Sequence, residues 1–216
     1  MPALITWWTQ DLGELSPRAD PVAVAAAGSD LLRRWAEPQR RYHSARHLVE
    51  LFWALEELED AHEIDAEGAT VGRVAAWLHD AVYDPQARHG ANEAASAGLA
   101  RSLLTRLHVH DQVSAAVEAV IRMTDGHDGD DGASLTRCFH DADLWILSAP
   151  DVRFDDYCAQ VREEYAHVPD VAYRTARAGI LVDFVRRDRL YLTAHGQQEW
   201  DEPARANLHR ELDRLG

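Results

Sequence analysis

Cysteine is scarce in this chain of 216 residues, with Cys138 and Cys158 the only two. They have neither zinc-ribbon nor Cys-x-x-Cys spacing, which removes thiolate metal knuckles and thioredoxin-type redox chemistry. A chain of this length buries a core without covalent staples, so both are read as reduced thiols in or near that core. Glycine and proline are also sparse, at 12 and 8 residues, and β-branched runs are short, which leaves helix as the favoured element. Basic charge is in short supply: 22 Lys and Arg stand against 37 Asp and Glu, a formal net charge of -15. A nucleic-acid polymer calls for a basic surface and is not expected as a partner. No segment approaches the length needed to span a bilayer, so no membrane partner is expected either. Residues 1–10 are apolar but short, and they lack the basic start and long apolar run of a signal peptide. A cytoplasmic location follows as the expectation. A Gly-rich phosphate loop, a nucleophile elbow and a dinucleotide fingerprint are missing too, which removes kinases, serine hydrolases and dehydrogenases.

What is present is helical periodicity. Asp20 caps and Pro21 opens a helix over 21–35, which Pro38 ends. Trp7 and Trp8, ahead of it, are expected to cover the bundle as an amphipathic lid. A second helix over 44–59 carries Leu48, Leu51, Phe52, Leu55 and Leu58 at helical spacing, with His47 on the same stripe. His43 lies four residues earlier and so on the same face; it contacts a phosphate or a water, or only caps the helix. A third helix over 69–80 closes on His79-Asp80, and Asp84-Pro85 stops the chain beyond it. Further helices are expected from about 92, over 109–123, 135–148, 154–165, 171–185 (with Ile180, Leu181, Phe184 and Val185 buried) and 199–215. Residues 124–132 read as a solvated, Gly-rich loop, because the glutamate an EF-hand needs is missing. The reading is all-α: one domain over 1–216, its core about 20–187, with the 199–215 helix docking onto it.

The stretch that organises the chain is Trp77-Leu78-His79-Asp80-Ala81-Val82-Tyr83-Asp84. Imidazole and carboxylate are both ligands for a divalent metal of intermediate softness. Taken alone, a His-Asp pair ending a helix is an ordinary cap. The chain adds Tyr42-His43 and His47 before it, and Asp141 and Asp143 after it.

These three places together resemble the HD superfamily of metal-dependent phosphohydrolases, whose pattern is His, then His-Asp, then a distant Asp. The wording is similar to a bacterial subgroup of predicted HD phosphohydrolases. Arg41-Tyr42-His43, His47-Leu48, His79-Asp80, Tyr83-Asp84, Asn92-Glu93, Ser96-Ala97, Asp141, Asp143-Leu144, Ile146-Leu147, Arg162 and Glu164-Tyr165 follow its order. The closing Glu202, Arg205, Asn207 and Leu208 do so as well. The resemblance implies an HD-domain helical bundle with His47, His79, Asp80 and Asp143 as metal ligands. Asp141, two residues from Asp143, is then left to hold His47 or His79 from behind, the opposite assignment staying open. Beside such an ion Asp80 is also placed to accept a proton from a bound water; the resemblance makes Glu93 a group that orients or deprotonates the attacking water (or merely a helix-start residue), and adds His127 and Arg162, with His43, as substrate contacts.

Such a donor set suits one divalent ion (Mn, Fe, Co, Ni, Zn or Mg) with positions left open. The reaction expected is hydrolysis of a phosphoester of a nucleotide or other small phosphorylated metabolite. Two other readings stand beside it. One is an HD-fold di-iron oxygenase drawing on His89, His108, His110, His127 and His140. The other is a non-catalytic, metal-binding regulatory module. The oligomeric state is left open, a homodimer being one option.

Overall fold

The computed structural model describes residues 2–127 and 130–216; of the expected 124–132 loop, Asp128 and Gly129 lie outside the described residues. Among those described, the chain is all-helical, with ten α-helices and no strand. They are α1 (Pro2–Leu15), α2 (Pro21–Trp35), α3 (Ala45–Asp60), α4 (Ala66–His79), α5 (Ala91–Arg106), α6 (Asp111–Met123), α7 (Ser134–Asp143), α8 (Asp151–Glu164), α9 (Asp170–Arg186) and α10 (Asp201–Leu215). A single 3-10 turn, Leu144–Ser148, continues α7, and a π-turn, Gly196–Trp200, leads into α10. Among the described residues, no helix is long and apolar enough to cross a membrane.

The bundle is built around α4. Its sequence is small and apolar on nearly every face, and Ala69, Val74, Ala75, Ala76, Trp77 and Leu78 are all fully buried. A helix apolar all round has no face left for water, and α1, α3, α5, α6 and α7 all pack against this one. Asp65 caps its start by accepting from the Gly68 N–H, as Asp20 does for α2 through Val22.

Trp8 is no lid. It lies in the core, edge-on to Trp77 at 5.6 Å, and its indole N–H donates to the Val24 carbonyl at 2.8 Å. Gly28 permits this, because a Cβ there would meet the Trp8 ring at 2.5 Å. Trp7, on the other face of α1, stays 40% exposed. Polar residues of the C-terminal helix contact the rest of the bundle. The Asn207 amide donates to the Leu147 and Ala149 carbonyls at 2.8 Å each, while Arg205 donates to the carbonyls of Val185 and Arg187. Cys138 and Cys158 are free and buried, and burial pushes both thiols up to about 12.

Candidate metal centre

Three helices that pack on one another meet at the centre: the first turn of α3, the last of α4 and the last of α7. They bring together His47, His79, Asp80 and Asp143. The Nε2 atoms of His47 and His79 stand 3.3 Å apart. Asp143 Oδ1 lies 3.1 Å from the first and 3.5 Å from the second. Asp80 Oδ2 lies 3.2 Å from His79 Nε2 and 4.0 Å from His47 Nε2.

Each donor is aimed by its surroundings. The Nδ1–H of His79 donates to the Ala76 carbonyl at 2.9 Å, which fixes the tautomer and leaves the Nε2 lone pair facing the cluster. Trp35 and Phe139 press on its ring, each at 5.6 Å between centroids. Adjacent residues of a continuous helix point about 100° apart. Here the helix ends at His79, and Asp80 takes up the non-helical φ -110, ψ 21, so its carboxylate comes back to the imidazole beside it.

That turn is clamped from α5. The Ser96 hydroxyl accepts from the Val82 N–H at 3.0 Å and donates to the Val82 carbonyl. One helical turn earlier, the Asn92 side chain pairs with both the N–H and the carbonyl of Asp84. Asn92 therefore does not cap α5, whose cap position is Gly90 in the left-handed region at φ 73.

His47, His79 and Asp80 could hold a metal ion, their donor atoms all lying within 4.8 Å of one another, and Asp143 stands against both imidazoles. Two nitrogens bound at about 2.0–2.1 Å to a single ion at a tetrahedral angle stand roughly 3.3 Å apart, which is the separation found. Imidazole nitrogens facing each other with carboxylate oxygens between them need a shared cation or proton. Burial works against a charged His79, yet Asp80 and Asp143 outweigh it and hold its pKa well above the ordinary imidazole value. Burial likewise opposes ionisation of Asp80 and Asp143, and the imidazoles, His79 foremost, outweigh it and depress both. Carboxylates that hold a proton on His79 would hold a divalent cation in its place.

The cluster forms the floor of a cavity of about 190 Å³. His43 and Glu93 line it, and so does His127, whose Nε2 lies 3.3 Å from Asp143 Oδ2. His127 has a left-handed backbone (φ 54), held by Arg187, which donates to the Gly126 and His127 carbonyls. Its own Nδ1 is buried without a partner. Glu93, in the first turn of α5, has its carboxyl pKa raised by burial despite a bond from its own N–H.

His43 is set by Glu164, a buried carboxylate that accepts five hydrogen bonds. Its Oε1 takes the N–H groups of Arg41, Tyr42 and His43 at 2.7, 2.9 and 3.0 Å. Its Oε2 takes His43 Nδ1–H at 2.7 Å and the Tyr83 hydroxyl at 2.8 Å. Against the cost of burial these donors, His43 first, lower its pKa to about 2. His43, stacked on Tyr83 at 4.2 Å, is raised in turn, Glu164 and the two aspartates overcoming burial.

Two expected contacts fall elsewhere. Arg162 does not reach the cavity: it donates to the Tyr165 and Val168 carbonyls at the end of α8 and lies over the Tyr173 ring. Asp141 does not support His47 or His79. It is fully buried on the far side of α7, accepting from His140 Nδ1, the Leu192 N–H, and the N–H and hydroxyl of Thr193. Of the five histidines that an iron pair would draw on, His89, His108 and His110 are exposed. Sequence reasoning gave no role to Glu164 or Tyr83, although both stand inside the motifs it quoted. Nothing along the chain ties Glu164 to residues 41–43, which lie 121–123 positions away. Comparison with family models, with curated proteins and with solved structures finds no match to this chain.

Proposed function

We propose that this chain is a metal-dependent phosphohydrolase of the HD type, acting on a small phosphorylated metabolite or nucleotide. The observation that carries the reading is the convergence of His47 and His79 Nε2 with Asp80 and Asp143 oxygens on the floor of a polar cavity. A divalent ion bound there supplies positive charge for a phosphate oxygen and lowers the pKa of a water. With both carboxylates ionised, two negative charges would match a dication, and two imidazoles beside them would leave positions for water and substrate.

The remaining work falls to residues around that floor. His43 is the group facing the phosphate: its Nδ1–H is fixed on Glu164, whose carboxylate favours the imidazolium, so Nε2 would donate to an ester oxygen. Glu93 is the proton acceptor for the attacking water, since burial moves its pKa toward the working range of a general base. Asp80, at the junction of imidazole and cavity, is the alternative acceptor. Attack forms a water-oxygen to phosphorus bond, breaks the ester bond and leaves inorganic phosphate and an alcohol. His127 steadies Asp143 from the other side. An open cavity, not one plugged by a side chain, supports turnover over a purely regulatory role.

The test is metal analysis of protein purified without chelators, then a phosphate-release screen over nucleotides and small phosphoesters with His79→Ala as control. Release that depends on added metal and on His79 is expected. Release that persists unchanged in His79→Ala would rule the mechanism out.

A further inference from the structure

Beside the cavity over the metal centre lies a second one of about 370 Å³, and Tyr42, His43 and Tyr157 line both. The first, at about 190 Å³, is small against the roughly 300–1,000 Å³ of a typical ligand pocket. The second, at about 370 Å³, falls within that range by itself. Its walls are apolar and aromatic, with Val161, Tyr165, Tyr173 and Ile180 among them.

Two residues in that wall are basic: His43, already held by Glu164, and Arg177. Arg177 is only 8% exposed, and no carboxylate among the described residues pairs with it. Its guanidinium donates to the Tyr157 hydroxyl at 2.6 Å and lies over the same ring, 5.1 Å from the centroid. Its Nε is buried with no partner at all. Buried cations are ordinarily paired, because an uncompensated charge away from water is costly. The other arginine buried nearby follows that rule: Arg153 makes a two-pronged pair with Glu50. Arg177 also connects to the metal floor through packed rings, Tyr157 on Tyr42 at 4.6 Å and Tyr42 on His47 at 4.7 Å. A buried guanidinium without a counter-ion, facing an aromatic cavity, is what an anionic ligand completes.

We propose that this second cavity is the subsite for the part of the substrate that is not hydrolysed. It would take a ring-sized, largely apolar body carrying an anionic oxygen group that pairs with Arg177. As a leaving-group subsite it rests on the phosphohydrolase reading; as an anion site it stands by itself. Half-exposed Ile180, at 50%, forms its rim and offers a way to fill the space without touching the guanidinium.

The experiment is calorimetric titration of the full chain with benzoate, phenylphosphonate and neutral benzyl alcohol. Both anions should bind, and benzyl alcohol at least about tenfold more weakly, the scale of one charged hydrogen bond. Anion affinity should fall by a similar factor in Arg177→Met and in Ile180→Trp, and survive in His79→Ala, which separates this site from the metal floor. Preference between benzoate and phenylphosphonate tells a carboxylate from a phosphate as the favoured group. If Arg177→Met fails to fold, Ile180→Trp decides. Equal affinity for benzyl alcohol and the anions, or anion affinity unchanged in Ile180→Trp, overturns the proposal. Loss of anion binding only in His79→Ala places the anions on the metal floor and overturns it too. Phosphate release is scored separately, so anion binding at Arg177 without metal-dependent release would leave this site standing and reject the hydrolase.

Discussion

Asp141 and Asp143 are two residues apart at the end of one helix, and they live in opposite surroundings. Asp141 is saturated by donors: two backbone N–H groups, a hydroxyl and an imidazole N–H all point at it. They come mostly from residues 192–193, so this carboxylate pins the approach to the C-terminal helix onto the bundle. Gly196 lies so close that a Cβ would meet Asp141 Oδ2 at 2.7 Å. Asp143 instead faces three imidazole Nε2 atoms, at 3.1, 3.3 and 3.5 Å. Side chains two apart on a helix point to different sides, so one turn serves both regions. A buried carboxylate filled with N–H donors is part of the framework, whereas one ringed by imidazole nitrogens is the one that the proposed metal centre would use.

Four substitutions would break or sharpen that contrast. The largest effect is expected on the metal side. His79→Ala should cut metal-dependent phosphate release by more than about a hundredfold, beyond the cost of losing an outer partner of a ligand, in a steady-state assay. A modest drop would place the chemistry elsewhere. Next comes the framework side. Asp141→Ala strands several buried donors and should cost on the order of 3–5 kcal/mol in urea unfolding, while folded protein keeps its metal. Loss of metal with stability intact would exchange the roles of the two aspartates.

Glu164→Gln comes third and acts through pH. A carboxylate depressed from 4.5 to about 2 adds stability that is present above the ordinary value and lost as pH falls from 4.5 toward 2. The wild-type chain should therefore lose on the order of 2–3 kcal/mol across that window that Glu164→Gln does not lose. His43, raised in the folded protein, runs the other way: its share is full below pH 6.5 and fades as pH rises through its raised value. Parallel acid-unfolding curves for the two proteins would show that Glu164 is not the hub described. The smallest effect belongs to Arg162→Ala, which should change kcat and KM little and stability by less than about 1 kcal/mol, the scale of a side chain at a helix end.

Much of this was legible in the sequence, for reasons that differ by residue. Helical periodicity located nine of the helices to within a few residues, because the apolar stripes on 44–59 and 109–123 are strong and Asp20-Pro21 and Asp84-Pro85 punctuate them. The four residues expected as ligands do come together, since each lies on or next to the buried stripe of its own helix. Side-chain direction across the bundle was not legible. Arg162 and Arg177 look alike in one dimension, and only packing sends the first to the end of α8 and the second into a cavity. Ile180, expected to be buried, is half exposed because it sits on that cavity's rim. Glu164 could not be singled out either, as its five partners come from 41–43 and Tyr83, far away along the chain.

The most direct test is the divalent-metal content of wild-type, Asp143→Asn and Asp141→Asn proteins, each purified without chelators and confirmed folded. A stoichiometric ion in the wild type and in Asp141→Asn, with most of it gone from Asp143→Asn, is the result expected here. Wild-type protein that binds no divalent ion even when supplied with one, or an Asp143→Asn variant that holds its metal as tightly as the wild type, would contradict it.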